Sequence, residues 1–398
     1  MLNIPKLRFK KFSDDYVEYR LSELMIRYSK NNKDEEFSIN DILSLSSEYG
    51  VVDRKELLED TYSKVNHKNY IKTKLNDFVY GKSISANYPY GLFKVNKCRD
   101  GLLSTLYFTF KTFENVSSSY LDSYFSHHNR ANNFLKKYVL VGDRYINADS
   151  DYILSGKIFI PLQHEQEQIV SFLSSINRKI EQLTQKKTLL ESYKKGVNQK
   201  IFSQKLRFKR DDGGEFEDWD YKNGNLVFET ISNKNHNSDL PILAISQKYG
   251  AIPRELIDYK VHVSTKSVDS YKVVEVGDFI ISLRSFQGGI EYSNYLGICS
   301  PAYIILRQKI EINRDFFKFY LKTHSYIQEL KKKLEGIRDG KMISYKYFSE
   351  IKLPLPCLEE QQKISTFLTS LDQKITQTTQ QIEAMKSFKK GLLQEMFV

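Results

Sequence analysis

Four groupings of residues in this chain have types and spacings from which chemistry could be built, and each meets a physical objection. Gly81-Lys82-Ser83 matches the end of a phosphate-cradling loop, but the first glycine of that pattern falls on Asn76, and the tight glycine turn is lost. Asn87-Tyr88-Pro89-Tyr90 is close to the Asn-Pro-Pro-Tyr stretch with which adenine methyltransferases hold an amino group. Tyr88 replaces the first proline there, and no glycine-rich cofactor loop follows a strand. His127 and His128 are adjacent on a predicted helix, about 100° apart around its axis, which suits two solvent contacts better than one metal ion. Carboxylates are plentiful, yet none clusters with a lysine in a way that separates a nuclease site from surface charge. The expectation is a chain with no catalytic residue and no metal.

Binding is what remains, and charge indicates to what. The 398 residues carry 60 Lys+Arg against 49 Asp+Glu, a formal +11, which favours a polyanionic partner. Tyr and Phe number 27 and 25, enough both to fill β-rich cores and to meet bases. Cys98, Cys299 and Cys357 form no CxxC pair, so neither a zinc knuckle nor a disulfide framework is expected. With no apolar run at the start and no stretch of about 20 apolar residues, the expected location is the cytoplasm, with no membrane partner.

The elements that must position a binding surface are announced by a repeat. ESYKKGVNQKIF at 191–202 returns as KSFKKGLLQEMF at 386–397, and the match extends backward until Ile169 lies on Ile364, 195 positions apart. In the first copy Ile169, Leu173, Ile176, Ile180, Leu183, Leu190 and Val197 recur at spacings of three, four and seven. In the second copy Ile364, Leu368, Leu371, Ile375, Ile382, Met385 and Leu392 do the same. A period near 3.5 predicts two long helices that pair as a coiled coil. Lys187 takes a seam position where the second copy has Ile382, and Thr378 stands where the first has Leu183, the kind of polar interruption that fixes register and partner. An antiparallel pairing is the easier one for a single chain with a whole domain between the helices. Gly196 and Gly391 interrupt the helical pattern at a cost of about 1 kcal/mol each relative to alanine. Either they end the helices, with lysines at the negative pole of the dipole, or something approaches closely there.

Fainter correspondences precede each helix. LRFK at 7–10 recurs at 206–209, ILSLSSEYGVVDR at 42–54 corresponds to ILAISQKYGAIPR at 242–254, and NDFVYGKS at 76–83 to GDFIISLR at 277–284. These β-branched and aromatic runs predict several short strands, and each is followed by a helical pattern. The expected fold is mixed α/β (α+β): a globule at 1–160, a helix at 161–205, a second globule at 206–353 and a second helix at 354–398. Between the frame strands the copies diverge, KSISANYPYGLFKVNKCRDG against RSFQGGIEYSNYLG, as a binder reading two targets requires.

The run IKLPLPCLEEQQKISTFLTSLDQKI, together with GDFIISLRSFQGG, SPAY and the paired LRF starts, resembles the specificity subunits of type I restriction-modification systems. That resemblance spans nearly the whole chain. It implies that each globule is a target recognition domain reading one half of a split site on double-stranded DNA, with the paired helices as spacer. It also implies two methyltransferase subunits and motor-nuclease subunits as partners, which carry all catalysis together with S-adenosylmethionine, ATP and Mg, leaving this chain without a cofactor. A coiled-coil adaptor between proteins, its charge incidental, is the competing expectation.

For a reader of DNA, affinity comes from Lys and Arg on phosphates and specificity from a few side chains on base edges. The candidates in the second globule are Arg284, Ser285 and Gln287 in the divergent loop, with Lys248, Arg254, Arg338 and Lys341. In the first they are Lys82, Ser83, Asn87, Tyr90 and Arg99, with Arg54, Arg144 and Tyr145.

Overall fold

The computed structural model describes residues 4–47, 49–57, 66–82, 84–142, 146–236, 239–257, 265–332 and 343–398. The chain forms two compact units, one made of Met1–Thr184 with Gln380–Val398, the other of Gln185–Thr379. Each therefore contains the first half of one long helix and the second half of the other.

In the first unit a four-stranded antiparallel sheet runs in the order Met25–Tyr28, Tyr107–Thr112, Phe78–Gly81, Leu92–Val95. Two-stranded ladders join Val17–Arg20 to Lys157–Ile160, Leu43–Ser46 to Gly50–Asp53, and Ile71–Thr73 to Gly101–Leu103. The second unit builds the same frame. Its four-stranded sheet is Phe228–Ile231, Ile304–Gln308, Phe279–Ile281, Glu291–Tyr292, and its ladders are Asp220–Asn223 with Lys352–Leu355, Leu243–Ser246 with Gly250–Pro253, and Lys272–Val274 with Gly297–Cys299. Strands this short are stable only when one face is covered. Phe78, Phe93, Phe110 and Phe125 cover it in the first unit, and Phe228, Phe279, Phe317 and Phe348 in the second.

The helical pattern after each sheet is two helices where one was predicted. Ser118–Phe125 ends before His127, whose extended backbone starts His128–Leu135. Arg314–Tyr320 likewise gives way to His324–Lys332, with the Thr323 hydroxyl accepting from the Tyr326 amide. A hydroxyl at the N-cap satisfies an orphan amide and so favours a new start over continuation.

The long helices run over Gln163–Phe202 and Leu358–Glu395 and pack together antiparallel. In the first unit Ile169, Leu173 and Ile176 share a core with Leu392, Leu393, Met396 and Phe397. In the second, Val197 and Ile201 share one with Ile364 and Leu368. Leu183, Leu371 and Ile382 are buried, Ile180, Leu190, Ile375 and Met385 half-buried. Of the polar seam residues, Thr378 is buried, while Lys187 is half-buried and paired with Glu191. Arg130 closes the tail of the second helix by donating to the carbonyls of Leu393 and Phe397 at 2.9 and 3.2 Å, a cation at the negative end of the dipole.

A buried acid starts each long helix. Glu165, 2% exposed, accepts from Arg8 Nε and Nη2 at 2.8 and 2.7 Å. Glu360, fully buried, accepts from Arg207 at 3.1 and 2.9 Å and from Trp219 Nε1 at 2.9 Å. The next residue repeats just as closely. Gln166 donates to Pro161 O and accepts from Ser117 N, and Gln361 donates to Pro356 O and accepts from Asn313 N. Phe9 packs edge-on against Phe172, and Phe208 against Phe367. The LRF and Glu-Gln motifs are thus two halves of one clasp.

Neither Gly196 nor Gly391 ends its helix, and a Cβ built on either meets nothing within 4 Å. The first helix stops instead at Phe202, with Gln204 in the left-handed region at φ 57°. Two outcomes are expected in urea unfolding of the full chain. Gly196→Ala and Gly391→Ala each raise stability by about 1 kcal/mol. Glu165→Gln and Glu360→Gln each lower it by about 3 kcal/mol, because a half-buried guanidinium loses its two charge-assisted bonds.

Candidate nucleic-acid interface

In the second unit the tight hairpin between Leu243–Ser246 and Gly250–Pro253 leaves Gln247, Lys248 and Tyr249 exposed at its tip. Gln247 Nε2 donates to the Arg284 carbonyl at 3.2 Å, tying that tip to the divergent loop. The loop turns into the short helix Ser285–Gly288. Gly288 lets the Gln247 side chain lie close, since a Cβ there would come within 2.7 Å of it. Gly289 leaves the turn at φ 83°, with its backbone against the Leu321 carbonyl. Arg284 and Gln287 point outward, and Lys248 lies over the Tyr249 ring at 4.8 Å. Ser285 is 1% exposed, its hydroxyl accepting from the Ser282 amide at 2.8 Å, so it shapes the loop from within. Arg254, half-buried, opens the turn after the hairpin, its amide donating to Ile242 O at 3.0 Å.

The first unit places its candidates in two groups. Lys82 lies over the Phe108 ring at 4.2 Å, and Arg27 over the same ring at 4.6 Å. Burial and the neighbouring Arg27 charge push the Lys82 ammonium below the usual lysine range. Asn87 is exposed, its carbonyl accepting from Asn132 Nδ2 at 2.9 Å, while the Tyr90 carbonyl accepts from the Tyr80 hydroxyl. The second group forms around Arg99, which reaches Asp53 at 2.7 Å, Asp41 at 3.2 Å and the Asn40 carbonyl at 2.9 Å. Arg54 follows Asp53 directly, its amide bonded to Ile42 O at 3.2 Å. Arg99 thus pins the first hairpin to the strand Gly101–Leu103, and both carboxylates are held below the usual range partly through it. Ser83, Arg144, Tyr145, Arg338 and Lys341 lie outside the described residues.

Gln247 and Arg27 were not singled out from sequence. A signal existed for Gln247, since Gln-Lys at 247–248 replaces Ser-Glu inside an otherwise matched hairpin. None existed for Arg27, which reaches the ring of Phe108 by strand pairing alone.

The frame that presents these loops is a known one. Residues 217–386 match the family described as "Type I restriction modification DNA specificity domain". Over that stretch the chain is similar to a type I restriction-modification DNA specificity domain. A relative in Methanocaldococcus jannaschii, named as the MjaX specificity subunit of a type I restriction enzyme, is 27% identical over 255 residues, covering 60% of this chain and 57% of that one. The MjaVIII specificity subunit of the same organism is 32% identical over 126 residues, 31% and 29% of the two chains. The chain thus spans little more than half of the first of these relatives. Across the whole length the fold is similar to the S subunit of a type I system from M. genitalium, with a TM-score of 0.56 at 14% identity and 99% of both chains covered. A chain from a structure describing assembly and conformational transition of a type I system gives 0.52 at 16% identity, with 96% and 97% covered.

Arg99→Ala is expected to lower stability in urea unfolding of the full chain by about 1 kcal/mol, through loss of its carboxylate partners.

Proposed function

We propose that this chain is the DNA-specificity subunit of a type I restriction-modification complex, and that it catalyses nothing itself. Each unit reads one block of a split site, and the paired long helices set the unspecified gap between the blocks. Two methyltransferase subunits and motor-nuclease subunits assemble on it in the cytoplasm, and these carry S-adenosylmethionine, ATP and Mg. The observation that carries the reading is the match of residues 217–386 to a DNA specificity domain. A single strand order built twice, with unlike loops at corresponding places, supports two half-sites.

In the second unit the reading assigns base contacts to Arg284 and Gln287, whose planar groups can bond guanine and adenine edges in pairs. Phosphate contacts fall to Lys248 and Arg254. In the first unit Lys82, Asn87 and Tyr90 have the corresponding place.

Mapping methylated adenines in DNA from cells that express the chain with its methyltransferase tests the whole reading. Two short specified blocks around a fixed gap are expected, and a continuous motif or none sinks it. In the same assay Arg284→Ala relaxes one block only, by about 1–3 kcal/mol of base discrimination. Lys248→Ala weakens binding to all sequences and lowers the salt slope by about one.

A further inference from the structure

Each unit encloses a cavity where its long helices meet the sheet edge, and the repeat allows the two to be compared position by position. Val79 faces Lys94 across the first sheet, and Ile280 faces Glu291 across the second. Counting from the helix caps Ser117 and Asn313, Ser126 corresponds to Lys322. On the long helices, with Ile169 on Ile364, Asn177 corresponds to Asp372 and Lys389 to Lys194.

In the second unit both lysines at these positions are neutralised: Lys322 is bonded to the buried Glu291, and Lys194 to Asp372. In the first unit both carboxylates are missing. Lys94 has only the Ser126 hydroxyl, at 3.2 Å. Lys389 makes no ion pair among the described residues, and the matching helix position is the neutral Asn177. Both ammonium groups line a cavity of about 360 Å³ with Asn177, Ser174 and Ser126. Asp122 also lines it, but its carboxylate is bonded to Lys97 and to the Val95 amide. His127, Lys386, Lys390 and the exposed Glu181 stand around a neighbouring opening that shares Lys389, Asn177 and Ser126. At the compared positions each cavity has two lysines, and the difference lies in how they are paired.

Burial, with the neighbouring Lys97 charge, holds both Lys94 and Lys389 below the usual lysine range, and the attraction of Asp122 offsets this only in part. A buried cation is tolerated when a charge-assisted bond completes it. The second unit pairs both lysines internally, whereas in the first the lining carboxylate, Asp122, is bonded to Lys97, which leaves room for an anion from outside. Ser126 donates its hydroxyl proton to the Asp122 carbonyl at 2.6 Å, so the donors that converge on the space are the Ser174 hydroxyl, the Asn177 amide and the two ammonium groups, a set that suits a tetrahedral oxyanion.

We infer that the cavity of the first unit, between Lys94, Lys389, Ser126 and Asn177, binds a phosphate group. The group comes either from free phosphate or from the backbone of bound nucleic acid.

The test is thermal unfolding of the full chain in rising inorganic phosphate, with ionic strength held constant by chloride. The melting temperature is expected to rise with phosphate. Lys389→Gln should weaken the apparent phosphate affinity about tenfold or more, the loss of one charged hydrogen bond. Asn177→Asp, which installs the carboxylate of the second unit, should raise the melting temperature without phosphate and abolish the response to it. A melting temperature indifferent to phosphate in the unsubstituted chain overturns the inference, and so does a response in both variants as large as that of the unsubstituted chain. Duplex of random sequence then identifies the source. If the DNA backbone supplies the phosphate, Asn177→Asp lowers the salt slope of duplex binding by about one; if the slope is unchanged, the source is free phosphate. The phosphate titration contains no DNA, so its failure leaves the DNA-specificity reading standing.

Discussion

A carboxylate withdrawn from water at the first turn of each long helix has to be matched by a guanidinium, and much of the architecture is arranged around that requirement. Glu165 and Glu360 each take two bonds from an arginine that lies about 155 residues away in sequence. Such a pair is weak evidence for net stability, since its desolvation offsets most of its attraction. Its value lies in geometry. The arginine brings the LRF segment across the start of the helix, the phenylalanine of that segment packs on the helix about two turns further along, and Gln166 or Gln361 then fixes the helix start against the sheet-side helix cap. Lose the acid and the remaining contacts have no common anchor.

Because the clasp and the strand order are shared, what differs between units becomes informative. The loops after Phe78–Gly81 and Phe279–Ile281 leave the same sheet edge but carry different polar groups outward: Lys82 and Asn87 in one, Arg284 and Gln287 in the other. Inside, the same comparison exposes a charge bookkeeping difference, with two internal ion pairs in the second unit replaced by hydroxyl and amide groups in the first. On the proposed reading, outer divergence concerns what each unit recognises, and inner divergence how each unit balances its buried charge.

Much of this was legible in the residues alone. The 3.5-residue period of Ile169 through Val197 and of Ile364 through Leu392 reports helix and buried face together, since one periodicity causes both. The strand runs around Phe78 and Phe279 were legible because β-branched and aromatic runs bounded by Gly, Asn and Asp leave a strong local signal. Tertiary bonds were not. Nothing local to LRFK says that its arginine meets an acid so far along the chain, and nothing local to Arg99 says that Asp41 and Asp53 hold it. The break between Phe125 and His128 was missed for a similar reason: apolar spacing continues through it, while the extended backbone at His127 is decided by packing. Gly196 and Gly391 misled in the opposite direction, their type suggesting a boundary or a crowded contact where the structure has open helix surface.

The second unit is one unbroken stretch, Gln185–Thr379, whereas the first is interrupted and is finished only by Gln380–Val398. During translation, the earlier-made portion of the first unit leaves the ribosome with Ile169, Leu173 and Ile176 lacking Leu392, Met396 and Phe397. At roughly 5–20 residues per second it must wait tens of seconds for that cover. The unit encoded first is therefore the last to be completed, and during that interval its greasy helix face is the one a chaperone would meet.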